Sequence, residues 1–345
     1  MAKKDKKSQK SKKNPARKKD STTPAKVPVL EQREKIVLDE AKKHLKVSDA
    51  ALDIVEEGSF VDARPRGHEL APDLEGFTSV RDLSTKARVE FDGDKQDGKA
   101  ILAARTAYLS ELQERLWAGH RGKENGRRVL LVIQGMDTAG KGGIVRHVVG
   151  AVDPQGVRIK GFKAPTATEK NRHFLWRIRR ALPEPGFIGV FDRSHYEDVL
   201  IHRVHGWADE KTLAKRYSDI NRFEKQLVEE RGYEVVKVML HISKEEQWER
   251  LYERLEREDK HWKFNTGDLD EREHWDEYMD AYDAAIRETH TPWAPWHVVP
   301  ADRKWYARLA VQQLLTDALE RIAPAYPKAD FDVKKAIARM QAEKE

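Results

Sequence analysis

A chain of 345 residues and 39.9 kDa, 39% hydrophobic and 36% charged, has room for one large α/β domain or two small ones. It has no cysteine, which excludes disulfide scaffolds, zinc–thiolate sites and thiol nucleophiles. No stretch approaches the roughly 20 uncharged apolar residues that cross a bilayer, and no positive–apolar–small pattern opens the chain, so a cytoplasmic protein with no membrane partner is expected.

The net charge of +6 is unevenly placed. Residues 1–26 hold eleven Lys/Arg and two Asp, a charge of +9 that leaves the other 319 residues at −3. The expected tail is disordered, serving either solubility or attraction of polyanions. A slightly acidic body gives no case for specific nucleic-acid binding. Residues 27–95 read as an extension packed on the main domain, with a helix over Gln32–Lys43 and turns at Pro65, Gly67, Pro72 and Gly76. From Gly98 the residues Ile101, Leu102, Arg105, Tyr108, Leu109, Leu112 and Leu116 recur at helical spacing. Val129–Ile133 is a short β-branched run that predicts a strand buried on both faces. A glycine-rich loop and an apolar helix follow. Further strands are expected at Val157–Phe162, Phe187–Phe191, Glu234–Ile242 and His297–Val299. Helices are expected at Thr168–Leu182, Asp209–Glu230, Glu246–Glu258 and Trp305–Ile322, with a capping box at Ser243 and Glu246. This alternation predicts a parallel sheet covered on both faces. The main domain spans 96–325, followed by a tail at 326–345.

The sharpest motif is Gly135-Met-Asp137-Thr138-Ala139-Gly140-Lys141-Gly142-Gly143. The Gly-x4-Gly-Lys spacing, between a buried strand and a helix, fits a phosphate-binding loop; a plain tight turn is the alternative. Such a loop turns several N–H groups inward, and Lys141 adds a full charge. Gly142 stands where the usual loop has Ser or Thr as a Mg²⁺ ligand. Asp137 is unusual beside phosphates, since like charges about 4 Å apart cost roughly 4 kcal/mol at an effective dielectric near 20. A bridging cation reverses that sign, so Asp137 is expected to serve as a metal ligand.

Asp192-Arg193-Ser194-His195-Tyr196 closes the third strand. An acid at the end of a buried parallel strand lies where ligands bind, so Asp192 is the second expected metal ligand; a helix cap is the plainer reading. Arg193 suits bidentate phosphate contacts. A helix starting here places Arg193, Tyr196, Leu200 and Arg203 on one face. Lys163, in Gly161-Phe-Lys163-Ala-Pro165-Thr, points to the same edge, or is simply solvated. Arg250, Arg254 and Arg257 line one face of a helix that runs into Lys260-His-Trp-Lys263. They read as a lid at about 247–270 that closes on phosphates, or as a salt-bridged outer face. His202-x-x-His205 lacks a third ligand at fixed spacing and is not read as a metal site.

GMDTAGKGG, FKAPT, FDRSHYEDV, the KHWKF segment and TPWAPWHVVPAD, in this order over roughly 95–322, resemble the polyphosphate kinase type 2 family. The resemblance implies a P-loop kinase fold like that of thymidylate kinase, five parallel strands with helices on both faces and a helical lid. It implies reversible phosphoryl transfer, dependent on Mg²⁺ (or Mn²⁺), between inorganic polyphosphate and nucleotides (AMP, ADP, ATP and guanine nucleotides), and a homo-oligomer. By position, Asp137, Lys141, Asp192 and Arg193 would be the catalytic core. Lys163, Tyr196, Arg203, Arg250 and Arg254 would contact nucleotide or polyphosphate, with Lys260 and Lys263 on the lid. His195 and Glu197 stand where many members have Trp and Asn. Two rivals remain at this level: an ATP-dependent nucleoside monophosphate kinase, and a non-catalytic polyanion-binding protein acting through its tail.

Overall fold

The computed structural model describes residues 73–343. The tail at 1–26, the expected helix at Gln32–Lys43 and the turns at Pro65, Gly67 and Pro72 lie outside them. Five parallel strands form one sheet in the order β2-β3-β1-β4-β5: β1 Arg128–Gly135, β2 Val157–Gly161, β3 Ile188–Asp192, β4 Tyr233–His241 and β5 Trp296–Pro300. The chain is an α/β protein of the class its alternating pattern predicts. β1 lies at the centre, paired with β3 and β4. Val129, Leu131, Val132 and Ile133 are wholly buried, because a central parallel strand is covered on both faces. β2 is the edge strand, and Arg158, Ile159 and Lys160 are exposed on it.

Strand order decides which face each helix covers. The crossover from β1 runs toward β2, whereas every later crossover runs the other way. Right-handed connections then put their helices on opposite faces. One face carries α1 (Lys95–His120), α2 (Lys141–His147) and the last long helix, Lys304–Ile322. The other carries the long helix Glu210–Arg231 and the helix Trp275–Thr289.

The remaining helices fall between these. The expected helix at Thr168–Leu182 is two pieces, α3 (Ala167–Lys170) and α4 (Leu175–Ala181). A Thr166–Glu169 capping box starts the first, and the His173 ring accepts the Leu175 N–H and so starts the second. After β3 come a 3₁₀ turn at His195–Asp198, α5 (Ile201–Val204) and α6 (Glu210–Arg231). After β4 come α7 (Lys244–Glu256), a 3₁₀ segment at Glu258–Lys263, α8 (Gly267–Glu273) and α9 (Trp275–Thr289). α10 (Lys304–Ile322) leads to a ten-residue helix, α11 (Val333–Ala342), within the stretch expected to be a tail.

Residues 73–94 lie across α9 and α10. The Asp283 carboxylate accepts from the Ser79 hydroxyl and the Val80 N–H, both at 2.7 Å. Asp302 accepts from Thr85 Oγ1 at 2.9 Å, and the Tyr306 hydroxyl donates to the Val89 carbonyl.

Candidate active site

The loop from β1 to α2 sits at the C-terminal edge of the sheet, where parallel strands leave a crevice for ligands. Gly135 is held at φ 148°, and a Cβ there would lie 2.7 Å from the Leu240 carbonyl of β4. Conformation and close approach together require glycine. Gly140 has φ 114° and precedes α2, whose first amides have no carbonyl to bond and open onto the cleft. Thr138, at φ 66°, is a β-branched residue in left-handed backbone, which marks a strained loop. Lys141 Nζ donates to the carbonyls of Gly135 (2.6 Å) and Met136 (3.2 Å). The loop is stapled from outside by Arg250. Its NH1 donates to the carbonyls of Thr138 (2.9 Å) and Ala139 (3.1 Å), and its NH2 to those of Ala301 (2.7 Å) and Asp302 (3.0 Å). Glu246 takes its Nε, so the Ser243–Glu246 capping box is only half formed.

Arg193 follows β3 in left-handed backbone (φ 63°), and its guanidinium reaches Asp137 at 3.0 Å. Burial pushes the Asp137 carboxyl up, but Lys141 and Arg193 outweigh it and hold it below the usual carboxylate range. Burial lowers the Arg193 guanidinium less than Glu197 and Asp137 raise it, so it stays charged. Glu197 accepts from Gln134 Nε2 at 2.9 Å, and burial pushes its carboxyl up.

Tyr196 corrects the sequence reading. It is wholly buried and points into the core rather than toward a ligand. A 3₁₀ turn replaces the expected helix and breaks the shared face with Arg203. The Tyr196 hydroxyl donates to Glu224 at 2.9 Å, and Lys237 Nζ donates to it at 2.9 Å. Lys237 also binds Glu224 (2.7 Å) and the Thr289 carbonyl (2.7 Å), and His195 lies 3.1 Å from Glu224. This buried network anchors the segment directly after Asp192 and Arg193. Arg203 is also corrected: Glu210 holds both ends of its guanidinium at 2.8 Å, outside the cleft.

A cleft of about 590 Å³ gathers Asp137, Thr138, Lys141, Lys163, Asp192, Arg193, Arg254, Lys260 and Lys263. Arg250 also lines it, but it is 5% exposed and spends its donors on backbone carbonyls, so it is a fixed staple and not a moving lid arginine. Arg254 faces the cleft, bonded to the Lys263 carbonyl (3.1 Å) and to Asp268 (3.3 Å). Arg257 pairs with Glu253 and Asp259 on the outside. The sequence reading missed Arg146, Lys304 and Arg308, which line the same cleft. Arg308 lies far along the chain on α10, and no local pattern marks it. Burial and the neighbouring Arg146 and Arg250 charges push the Arg308 guanidinium down, the mark of crowded cations.

A second cleft of about 350 Å³ opens between α4, α6 and the segment after β3. Arg177, Asp198, Arg216 and His202 line it, beside Phe174 and His173. Arg177 also donates to the Lys163 carbonyl at 2.9 Å, joining the two clefts. His205 stacks on Trp207 and bonds Glu271.

The donors present suit a hard divalent cation. Asp137 and Asp192 border one cleft, and the Thr138 hydroxyl there is buried with no partner among the described residues. No group of three or more acidic or histidine ligands forms among the described residues. A hard divalent cation can be held by one or two carboxylates and complete its shell with water and phosphate.

Residues 92–326 match the model of the family described as Polyphosphate kinase 2. The chain belongs to the polyphosphate kinase 2 family. A curated relative from Meiothermus ruber, named AMP/ADP-polyphosphate phosphotransferase, is 44% identical over 247 residues, covering 72% of this chain and 90% of the relative. An ADP-polyphosphate phosphotransferase from Rhodopseudomonas palustris is 40% identical over 263 residues, 73% of this chain and 89% of that one. The crystal structure of polyphosphate kinase 2 from Arthrobacter aurescens TC1 is 55% identical with a TM-score of 0.76, covering 81% of this chain and 98% of that chain. With the family comes the P-loop kinase fold, to which the strand order and the loop of this chain conform.

Proposed function

We propose that this protein moves phosphoryl groups reversibly between inorganic polyphosphate and nucleoside mono- or diphosphates, forming ADP from AMP and ATP from ADP, in the cytoplasm. The observation that carries the reading is the charge of the first cleft. Ten Lys/Arg line it against three carboxylates, in a protein whose sequence outside residues 1–26 is slightly acidic. Such a surface suits a chain of phosphates longer than one nucleotide supplies. The polyphosphate end lies on the loop amides and Lys141, and its continuation runs along Arg146, Arg308 and Lys304. The nucleotide takes the second cleft. Arg177 and Arg216 meet its phosphates there, and Phe174 and His173 offer ring faces to the base.

In the forward step an acceptor phosphate oxygen attacks the terminal polyphosphate phosphorus in line. A new P–O bond forms, the P–O–P bond breaks, and the chain leaves one unit shorter. Lys141 and Arg193 neutralise charge on the transferring group, and Arg254 closes over it from α7. Asp137, Asp192 and the Thr138 hydroxyl would hold Mg²⁺ or Mn²⁺, which when bound supplies further charge neutralisation. No covalent nucleophile is required. Guanine nucleotides belong to the same acceptor class.

The test is production of ATP from ADP and polyphosphate with no ATP supplied. Steady formation supports the reading. Turnover with ATP as the sole donor would instead make the protein a nucleoside monophosphate kinase.

A further inference from the structure

α7 buries three side chains, Gln247, Arg250 and Leu251, and two of the three are polar. A buried polar side chain costs stability unless its hydrogen bonds are made. Leu251 shows that this face accepts an apolar residue, so the two polar ones call for a purpose. Both spend donors on the loop between β1 and α2. Arg250 holds the Thr138 and Ala139 carbonyls. Gln247, only 1% exposed, reaches the preceding carbonyl, that of Asp137, with Nε2 at 3.2 Å. Three successive carbonyls of the loop are thus gripped by two side chains one turn apart on one helix.

Gln247 is itself held. Arg272 of α8 donates from NH1 to Gln247 Oε1 at 2.8 Å and to the Lys244 carbonyl at 2.7 Å. An arginine can only donate, so the amide oxygen faces Arg272 and the amide nitrogen faces the loop. Without Arg272 the amide could turn over and set its oxygen against the Asp137 carbonyl.

None of the described peptide bonds is cis, and a trans peptide sets its N–H opposite its carbonyl. Fixing the Asp137 and Ala139 carbonyls toward α7 turns the N–H groups of Thr138 and Gly140 away from it, on residues that line the cleft. The Ala139 N–H between them is taken by the Met136 carbonyl at 3.1 Å. We infer that Gln247, oriented by Arg272, is a positioning residue for phosphate binding. It sets the Asp137 peptide so that the Thr138 N–H points at the phosphate, and it keeps Asp137 where Arg193 reaches its carboxylate. This role rests on the loop being a phosphate site, as proposed above. Arg272 lies on the helix that returns from the lid segment, so the loop binds phosphate fully only while α8 is packed on α7.

Isothermal titration calorimetry of the full chain with tripolyphosphate tests this, beside steady-state kinetics. Gln247→Met keeps the length of the side chain and loses the donor. It should weaken tripolyphosphate binding about tenfold, the worth of one to two hydrogen bonds. The KM for polyphosphate should rise in step, while the KM for ADP stays within about twofold of native. Arg272→Met touches no atom of the loop and should give a smaller change of the same kind. The double variant should bind no more weakly than Gln247→Met alone, because both act through one amide. General loosening of the structure would instead raise both KM values and add across the two sites. Should Gln247→Met fail to fold, the selective rise must appear in Arg272→Met, and its absence there overturns the inference. So do a tripolyphosphate affinity for Gln247→Met within about twofold of native, equal rises in both KM values, or full addition in the double variant. If ATP proves to be the sole phosphoryl donor, the function proposed above fails, and the rise of about tenfold in Gln247→Met must then appear in the KM for ATP.

Discussion

Lys141 uses two of its three hydrogens on the Gly135 and Met136 carbonyls, which fixes its ammonium at the mouth of the loop and leaves one hydrogen for the cleft. Asp137 is already held by Arg193, whereas Asp192 stands at the end of β3 with its carboxylate on the same cleft. Their effect on turnover is electrostatic, and groups of this kind are each worth on the order of 10²–10³ in rate. Lys141→Ala or Asp192→Ala should therefore lower turnover at least ~10²-fold while the melting temperature stays near that of the parent. Steady-state kinetics beside a thermal melt checks both, and near-normal turnover in either variant removes its assigned role. Gly142 follows a different rule. A Cβ there meets nothing within 4 Å, so packing does not require glycine where other loops carry a hydroxyl. The Thr138 hydroxyl, inside the loop, is buried with no partner among the described residues.

Among the elements, the turn after β3 shows why the candidate motif was legible and its neighbours were not. Asp192 and Arg193 were readable because a strand end and a charge pair are local features. Tyr196 and Arg203 were misplaced because the expected helix is a 3₁₀ turn, which swings Tyr196 inward to Glu224 on α6, Lys237 on β4 and Thr289 on α9. Three separate elements meet at that one hydroxyl, and helical spacing cannot register partners 28 to 93 residues away. The same network makes a stability prediction. Lys237→Met leaves Glu224 buried with its strongest cationic partner gone, and breaking such a pair costs ~3–5 kcal/mol. Urea denaturation should show that loss. Lys237→Met combined with Glu224→Leu should recover much of it, since two apolar groups leave no unpaired charge. A loss of less than about 1 kcal/mol in the single variant would mean the pair is not charged in the folded protein.

For the whole molecule, charge distribution separates the phosphotransferase from a passive polyanion binder. Residues 1–26 carry +9, outside the described residues, while the cleft collects its own cations from α2, α7 and α10. Deleting residues 1–26 should leave transfer intact, with kcat within about twofold. Any fall in kcat/KM for long polyphosphate should fade above roughly 0.15 M salt, where screening acts within about 8 Å. Loss of transfer on deletion would move the function to the tail. The sequence by itself determined the α/β class, the strands, the loop and the acid at the end of β3, because period, β-branching and glycine spacing act over a few residues. Only the tertiary structure decided which arginine faces the cleft. Arg250 and Arg254 stand one turn apart on α7, yet the first is buried on loop carbonyls and the second faces the cleft. Arg146 and Arg308 meet across it from distant parts of the chain. Burial and through-space charge depend on what the sheet order brings together, and those are properties that no window of neighbouring residues contains.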